Sequence, residues 1–119
     1  MSGAGAALAW CPFPDADSAG RAADALLDEG LIACANILPP MQSRYVWRGQ
    51  REVAEETGVL FKTSGDLLEK LVARISALHP YDEPAILGWG CEAASPETLR
   101  WLGELVAAPM RGDIAGERA

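Results

Sequence analysis

The chain has 119 residues, of which 50% are apolar and 23% charged, and its formal net charge is -7. This length supports one folded domain, and the apolar content excludes a disordered chain. The negative charge disfavours nucleic acid and anionic membranes as partners and favours cations. We expect a single domain over residues 1–119, folded from about 6 to 108 and followed by a flexible tail over 109–119.

The cysteines are three in number and far apart: Cys11, Cys34 and Cys91. No C-x-x-C pair occurs, which excludes a zinc knuckle and a dithiol redox motif. An odd number of thiols suits a reducing compartment, and the apolar start of the chain has no Lys or Arg, unlike a secretory signal. The sequence therefore predicts a cytoplasmic protein that has no contact with membranes.

The first third of the chain predicts a strand followed by a helix. Residues 7–13 are an apolar run typical of a short buried strand. Asp15, Asp17 and Ser18 are candidate helix caps ahead of apolar residues at helical spacing. Gly30 stands where a glycine often closes a helix, so we expect the helix to end there.

The middle of the chain predicts a long hairpin. Apolar residues over 31–38 indicate a strand that is interrupted at Pro39-Pro40 and resumes over 43–47. The sequence Arg48-Gly49-Gln50 is a turn signal, and residues 51–63 form the returning strand.

The last third predicts a helix, a strand and a further helix. Ser64 opens the second helix, which ends at His79-Pro80 because proline disfavours helix in the residue before it. Residues 85–91 read as a strand, and Ser95-Pro96-Glu97 starts a third helix. The order β-α-β-β-α-β-α predicts an α+β, ferredoxin-like split β-α-β fold with an added C-terminal helix.

The returning strand is long for a domain of this size. Thirteen residues extend roughly 40 Å, whereas a compact domain of this length is about 35 Å across. The hairpin should therefore project as an arm beyond the helices that cover the sheet. Its tip carries Tyr45, Val46 and Trp47, which suggests that the arm lies on another subunit of a homo-oligomer. A hairpin bent back onto its own core is the alternative.

Two side chains are candidates for metal chemistry. His79 is the only histidine and sits at a helix-to-strand junction, where it could serve chemistry or simply cap the helix. Cys11 ends the first strand and could equally be a small buried hydrophobe. If the two converge, within one chain or between chains, a thiol and an imidazole make a soft site for copper or zinc.

Other chemistry has weaker support. Cys11 and His79 could act as nucleophile and base, but no local nucleophile motif accompanies them. Glu52 and Glu56 share a strand face, where a solvated edge is the commoner outcome. P-loop, G-x-G-x-x-G and H-E-x-x-H motifs are absent from the sequence. An enzyme therefore ranks last, and we predict that the protein is not one.

Four segments of the chain are similar to one known family. LIACANI at 31–37, YVWRG at 45–49, FKT at 61–63 and HPY at 79–81 resemble the CutA family of divalent-cation tolerance proteins. The likeness runs in order over residues 7–107. It implies a ferredoxin-like fold and a trimer whose long hairpin arms embrace neighbouring subunits.

The resemblance also implies a site. Cys11 matches the family cysteine implicated in copper binding, and His79 matches the histidine of the His-Pro-Tyr motif. Leu78 and Ala85 stand where some members have a second histidine and a glutamate. The implied function is a CutA1-like homotrimer that binds a divalent metal, copper first, without requiring it to fold.

Two alternatives involve no metal. Trimers of this kind also resemble the PII small-ligand sensors, whose ligands bind in clefts between subunits. Such a cleft would here be lined by Tyr45, Trp47, Lys62 and Tyr81, although no phosphate-binding glycine or basic cluster accompanies them. A structural trimer that binds partner proteins is the other alternative.

Overall fold

The structure, a computed structural model, describes residues 5–105. The predicted tail over 109–119 lies outside this range. The predicted order of strands and helices is confirmed. The elements are β1 (Ala6–Phe13), α1 (Ala16–Asp28), β2 (Cys34–Trp47), β3 (Gln50–Ser64), a 3-10 turn (Gly65–Leu67), α2 (Leu68–Leu78), β4 (Leu87–Gly90) and α3 (Pro96–Gly103).

The four strands form one antiparallel sheet in the order β2-β3-β1-β4, which confirms the ferredoxin-like fold. The strands β1 and β3 are central, and α1 and α2 pack against the face to which their buried side chains point. The main core is built from apolar residues of these elements: Ala9, Cys11, Phe13, Ala19, Ala22, Leu26, Leu31, Ile32, Val59, Phe61, Leu71 and Ile75. α3 packs against β1 and β3. No helix within residues 5–105 is long and apolar enough to cross a membrane.

The start of β2 differs from the prediction because Leu31 belongs to the end of α1. The Leu31 amide donates to the Leu26 carbonyl at 3.0 Å, and the Gly30 amide donates to Leu27 at 3.1 Å. Gly30 has a φ of 72°, which glycine adopts at low cost. This pair of bonds closes the helix as a Schellman motif, so the strand begins only at Cys34.

The predicted interruption at Pro39-Pro40 is wrong, because β2 runs continuously from Cys34 to Trp47. The register with β3 shifts between Ile37 and Pro40, which marks a bulge. Proline is tolerated here because β2 is an edge strand and its outer side needs no ladder donors. β4 is shorter than predicted and spans Leu87–Gly90, four residues.

The hairpin of β2 and β3 is the extended part of the molecule. Its turn uses positive φ at Arg48 (51°) and Gly49 (79°), as a two-residue type I′ turn requires. No residue from 33 to 56 is buried. The radius of gyration is 15.2 Å, whereas a compact domain of about 100 residues has about 13 Å. The hairpin thus stands apart from the core.

Candidate functional site

His79 occupies the junction between α2 and the loop that leads to β4. Its backbone amide donates to the Ile75 carbonyl at 2.9 Å, and Pro80 prevents another helical turn. The imidazole is buried and stacks on Phe13, with 4.3 Å between ring centroids. Helix end and stacking partner together fix the direction of this side chain.

Both ring nitrogens of His79 have partners within the chain. Nε2 lies 2.8 Å from the Pro12 carbonyl oxygen, and Nδ1 accepts the Tyr81 amide at 3.0 Å. A carbonyl can only accept, so Nε2 carries the proton and the imidazole is neutral. His79 therefore holds β1 and the loop before β4 together. The ring does not bond the last carbonyls of α2. His79 therefore does not fill the helix-capping role that the sequence left open.

Cys11 lies on β1 and points into the core. The side chain is fully buried, and its thiol reaches the Pro12 carbonyl oxygen at 3.5 Å. Burial, and secondarily the charge of Glu56, raise the pKa of the Cys11 thiol from 9.0 to about 12. Cys11 and His79 thus converge on one carbonyl oxygen within a single chain, which the sequence alone did not settle.

We expect Cys11 to resist alkylation in the native protein. Iodoacetamide at pH 8 should label the half-buried Cys34 and Cys91 and leave Cys11 unmodified until denaturant is added, because only the thiolate reacts. Peptide mass spectrometry measures the labelling at each cysteine. Equal labelling of all three cysteines would contradict the burial of the Cys11 thiol.

The raised pKa of the Cys11 thiol also predicts how stability depends on pH. The free energy of unfolding should fall as the pH rises from 9 towards 12, because in this range the unfolded thiol has ionised and the native one has not.

A divalent metal ion does not fit the Cys11–His79 pair as it stands. A metal-bound cysteine must lose its proton, which the raised pKa of Cys11 opposes. A metal-bound imidazole must free one nitrogen, whereas both nitrogens of His79 are hydrogen-bonded. Within residues 5–105, no group of three or more His, Cys, Asp or Glu side chains is placed to hold an ion.

Three of the four residues predicted to line a cleft between subunits lie around one cavity within the single chain. Tyr45 and Trp47 from β2 and Tyr81 from the loop before β4 line one cavity of about 650 Å³. We call it the aromatic cavity. Lys62 does not line it in this chain, because it lies further along β3, where it pairs with Cys34 on β2 and Leu8 on β1.

Carboxylates also lie at the aromatic cavity, and the sequence predicted none of them there: Asp82 and Glu83 were not singled out, and Glu56 was expected at a solvated edge. Glu56, Asp82 and Glu83 line the cavity together with the aromatic side chains. Tyr81 donates its hydroxyl to Glu56 Oε2 at 2.9 Å. Burial first, then this bond and nearby negative charges, raise the pKa of Tyr81 to about 12. No sequence signal links Tyr81 to Glu56, since 25 residues separate them and tertiary packing of the loop before β4 against β3 brings them together.

Known proteins are similar to this chain in both sequence and fold. Residues 7–105 match the family described as CutA1 divalent ion tolerance protein. The divalent-cation tolerance protein CutA of Pyrococcus horikoshii is 42% identical over 97 residues, covering 82% of this chain and 94% of that protein.

Solved structures agree with this similarity. The divalent cation tolerance protein of Thermus thermophilus superposes with a TM-score of 0.80 at 35% identity, covering 85% of this chain and 98% of that one. The CutA from Archaeoglobus fulgidus, described as periplasmic, gives a TM-score of 0.78 at 30% identity, with 83% and 96% covered. Sequence and fold therefore point to the same group of proteins.

Proposed function

The chain belongs to the CutA1 family of divalent ion tolerance proteins, and from this membership we propose that it acts in divalent-ion tolerance as a cytoplasmic homotrimer that binds a small ligand in the aromatic cavity. The observation that carries the proposal is the meeting of Tyr45, Trp47 and Tyr81 around one cavity. Concave sites with aromatic walls and a few polar groups are typical of small-molecule binding. The three free cysteines support the cytoplasmic location.

Large apolar side chains on the arm and on both edge strands support self-association. Gly88 faces Leu68 and Val72 of α2, so its neighbours on β4 project from the opposite face of the sheet. Val46 is 67% exposed and Leu87 64%, values that favour a covering partner. Another copy of the chain can cover both edge strands. The resemblance to the CutA family supports an assembly of three subunits. The exposed residues of this surface are Ile37, Leu38, Tyr45, Val46, Trp47, Val53, Leu87 and Trp89.

A growth experiment tests the proposal. A strain that lacks the gene is grown in elevated copper or zinc and complemented with the wild type, Trp47→Ala or Cys11→Ala. We expect Cys11→Ala to restore tolerance and Trp47→Ala to fail. Because Trp47 also belongs to the exposed surface that another copy can cover, sedimentation is used to check that each variant assembles as the wild type does before growth is compared. Full rescue by Trp47→Ala would contradict a role for the aromatic cavity.

Copper bound by Cys11 and His79 is the second candidate. Thiol and imidazole are donors that copper favours, and both side chains reach the Pro12 carbonyl oxygen. Binding would require the Cys11 proton to leave and the His79–Pro12 hydrogen bond to break.

Calorimetry with copper(II) on the reduced protein separates the two candidates, with His79→Gln alongside the wild type. We expect binding weaker than about 1 μM that does not respond to the substitution, because each donor is already engaged. Tight binding of one ion per subunit that disappears in His79→Gln would instead establish the copper site.

A further inference from the structure

The walls of the aromatic cavity carry more negative than positive charge. Glu56, Asp82 and Glu83 face it, and Arg48 is the one basic side chain among its lining residues within the described range. Negative charge beside aromatic faces is the environment that binds cations, since the face of a ring is electronegative.

Arg48 already shows how a cation sits at this wall. Its guanidinium carbon lies 5.2 Å from the ring centroid of Trp47, and Nη2 lies 3.7 Å from Glu83 Oε2. Both side chains of the ion pair are largely exposed, at 72% and 63%. An exposed pair of this kind contributes little to stability, so an incoming cation can displace Arg48 at low cost.

Glu56 adds a further negative charge to the cavity lining. After burial, the charge of Glu56 is a cause of the raised pKa of Tyr81 and of Cys11, two side chains on different elements. The carboxylate of Glu56 accepts from the Tyr81 hydroxyl, which leaves it further lone pairs for a second donor.

Resting on the small-ligand function proposed above, we propose that the aromatic cavity binds an organic cation with N–H donors at both ends, an aliphatic diamine or guanidinoamine. One cationic end lies on Trp47 beside Glu83, in the place of the Arg48 guanidinium, and the other donates to Glu56. The aliphatic linker packs on Tyr45 and Tyr81. N–H donors are needed because carboxylates only accept hydrogen bonds.

Calorimetry with agmatine (4-aminobutylguanidine) on the full-length protein tests this. Neutral 1,4-butanediol and anionic succinate have similar length and serve as ligand controls. We expect agmatine to bind with a dissociation constant below about 1 mM and the two controls to show no heat of binding.

Matched variants separate a site from general attraction to an acidic protein. Glu56→Gln should weaken agmatine binding about tenfold, since it keeps an acceptor for Tyr81 and removes the charge. Glu55→Gln removes the same charge from the preceding residue of β3, where the side chain is exposed and outside the cavity lining, and should leave affinity unchanged. Equal weakening by both variants, or agmatine binding no better than butanediol, would overturn the proposal.

Failure of the cation proposal can be distinguished from failure of the proposed function. If Trp47→Ala abolishes tolerance but agmatine does not bind, the ligand class is wrong and the role of the cavity stands. If agmatine binds as expected and Trp47→Ala restores tolerance, the cation site stands and its part in tolerance is refuted.

Discussion

Replacing His79 by alanine is expected to destabilise the protein in metal-free buffer by about 2–4 kcal/mol. The substitution removes the donor to Pro12 and leaves the Tyr81 amide without its acceptor, and part-buried polar groups that lose their partners cost up to about 1–3 kcal/mol. Loss of the stack on Phe13 contributes about 0.5–1.5 kcal/mol more. Denaturant unfolding with a chelator present measures the change.

This experiment separates a structural histidine from a metal ligand. A ligand that served only a metal would leave the chelated protein unaffected by the substitution. Glu29→Gln is the control. The ion pair of Glu29 with Arg74 is partly exposed, so its loss should lower the free energy of unfolding by less than about 1 kcal/mol. Equal stability of His79→Ala and the wild type in chelator would contradict the structural role.

Replacing Gly58 by valine is expected to lower the free energy of unfolding by about 1–3 kcal/mol per chain. A Cβ at Gly58 would overlap Cη2 of Trp10 and lie 3.0 Å from Cζ2 of the same ring. The indole cannot bend, so either it leaves its place or the two central strands move apart. Thermal unfolding measures the loss.

Gly20→Ala provides the matched control for the glycine substitution. Gly20 lies within α1, and no heavy atom outside its own turn lies within 4 Å of a Cβ built there. This change should stabilise the chain by about 0.5–1 kcal/mol, because alanine loses less backbone entropy in a helix. A Gly58→Val variant as stable as the wild type would show that Trp10 does not rest on this glycine.

The fold was predictable because its signals are local. Apolar periodicity and the turn at Gly49 give the order of elements, and the cap at Ser95 gives the start of α3. One error has a local cause and the other a non-local one. Leu31 is apolar like a strand residue but closes α1, and Pro39-Pro40 breaks no strand because β2 lies at the edge of the sheet.

The sequence singled out several residues of the candidate site, but it did not predict their contacts or their chemistry. Tyr45, Trp47 and Tyr81 stand out as large rings in exposed segments, and the structure places them together. The partners of His79 could not be deduced, because a backbone carbonyl such as that of Pro12 has no signature in the sequence. From the sequence, Glu56 was expected to be a solvated carboxylate, because its hydrogen bond with Tyr81 depends on tertiary packing.

Sedimentation equilibrium of the full-length chain, at micromolar concentration and in the presence of a chelator, tests whether the exposed arm and edge strands belong to interfaces of a homotrimer that needs no metal to assemble. We predict a single species of three times the 12.6 kDa chain mass. A species of one chain mass that persists as concentration rises would contradict the trimer and the proposal that its arms are buried between subunits.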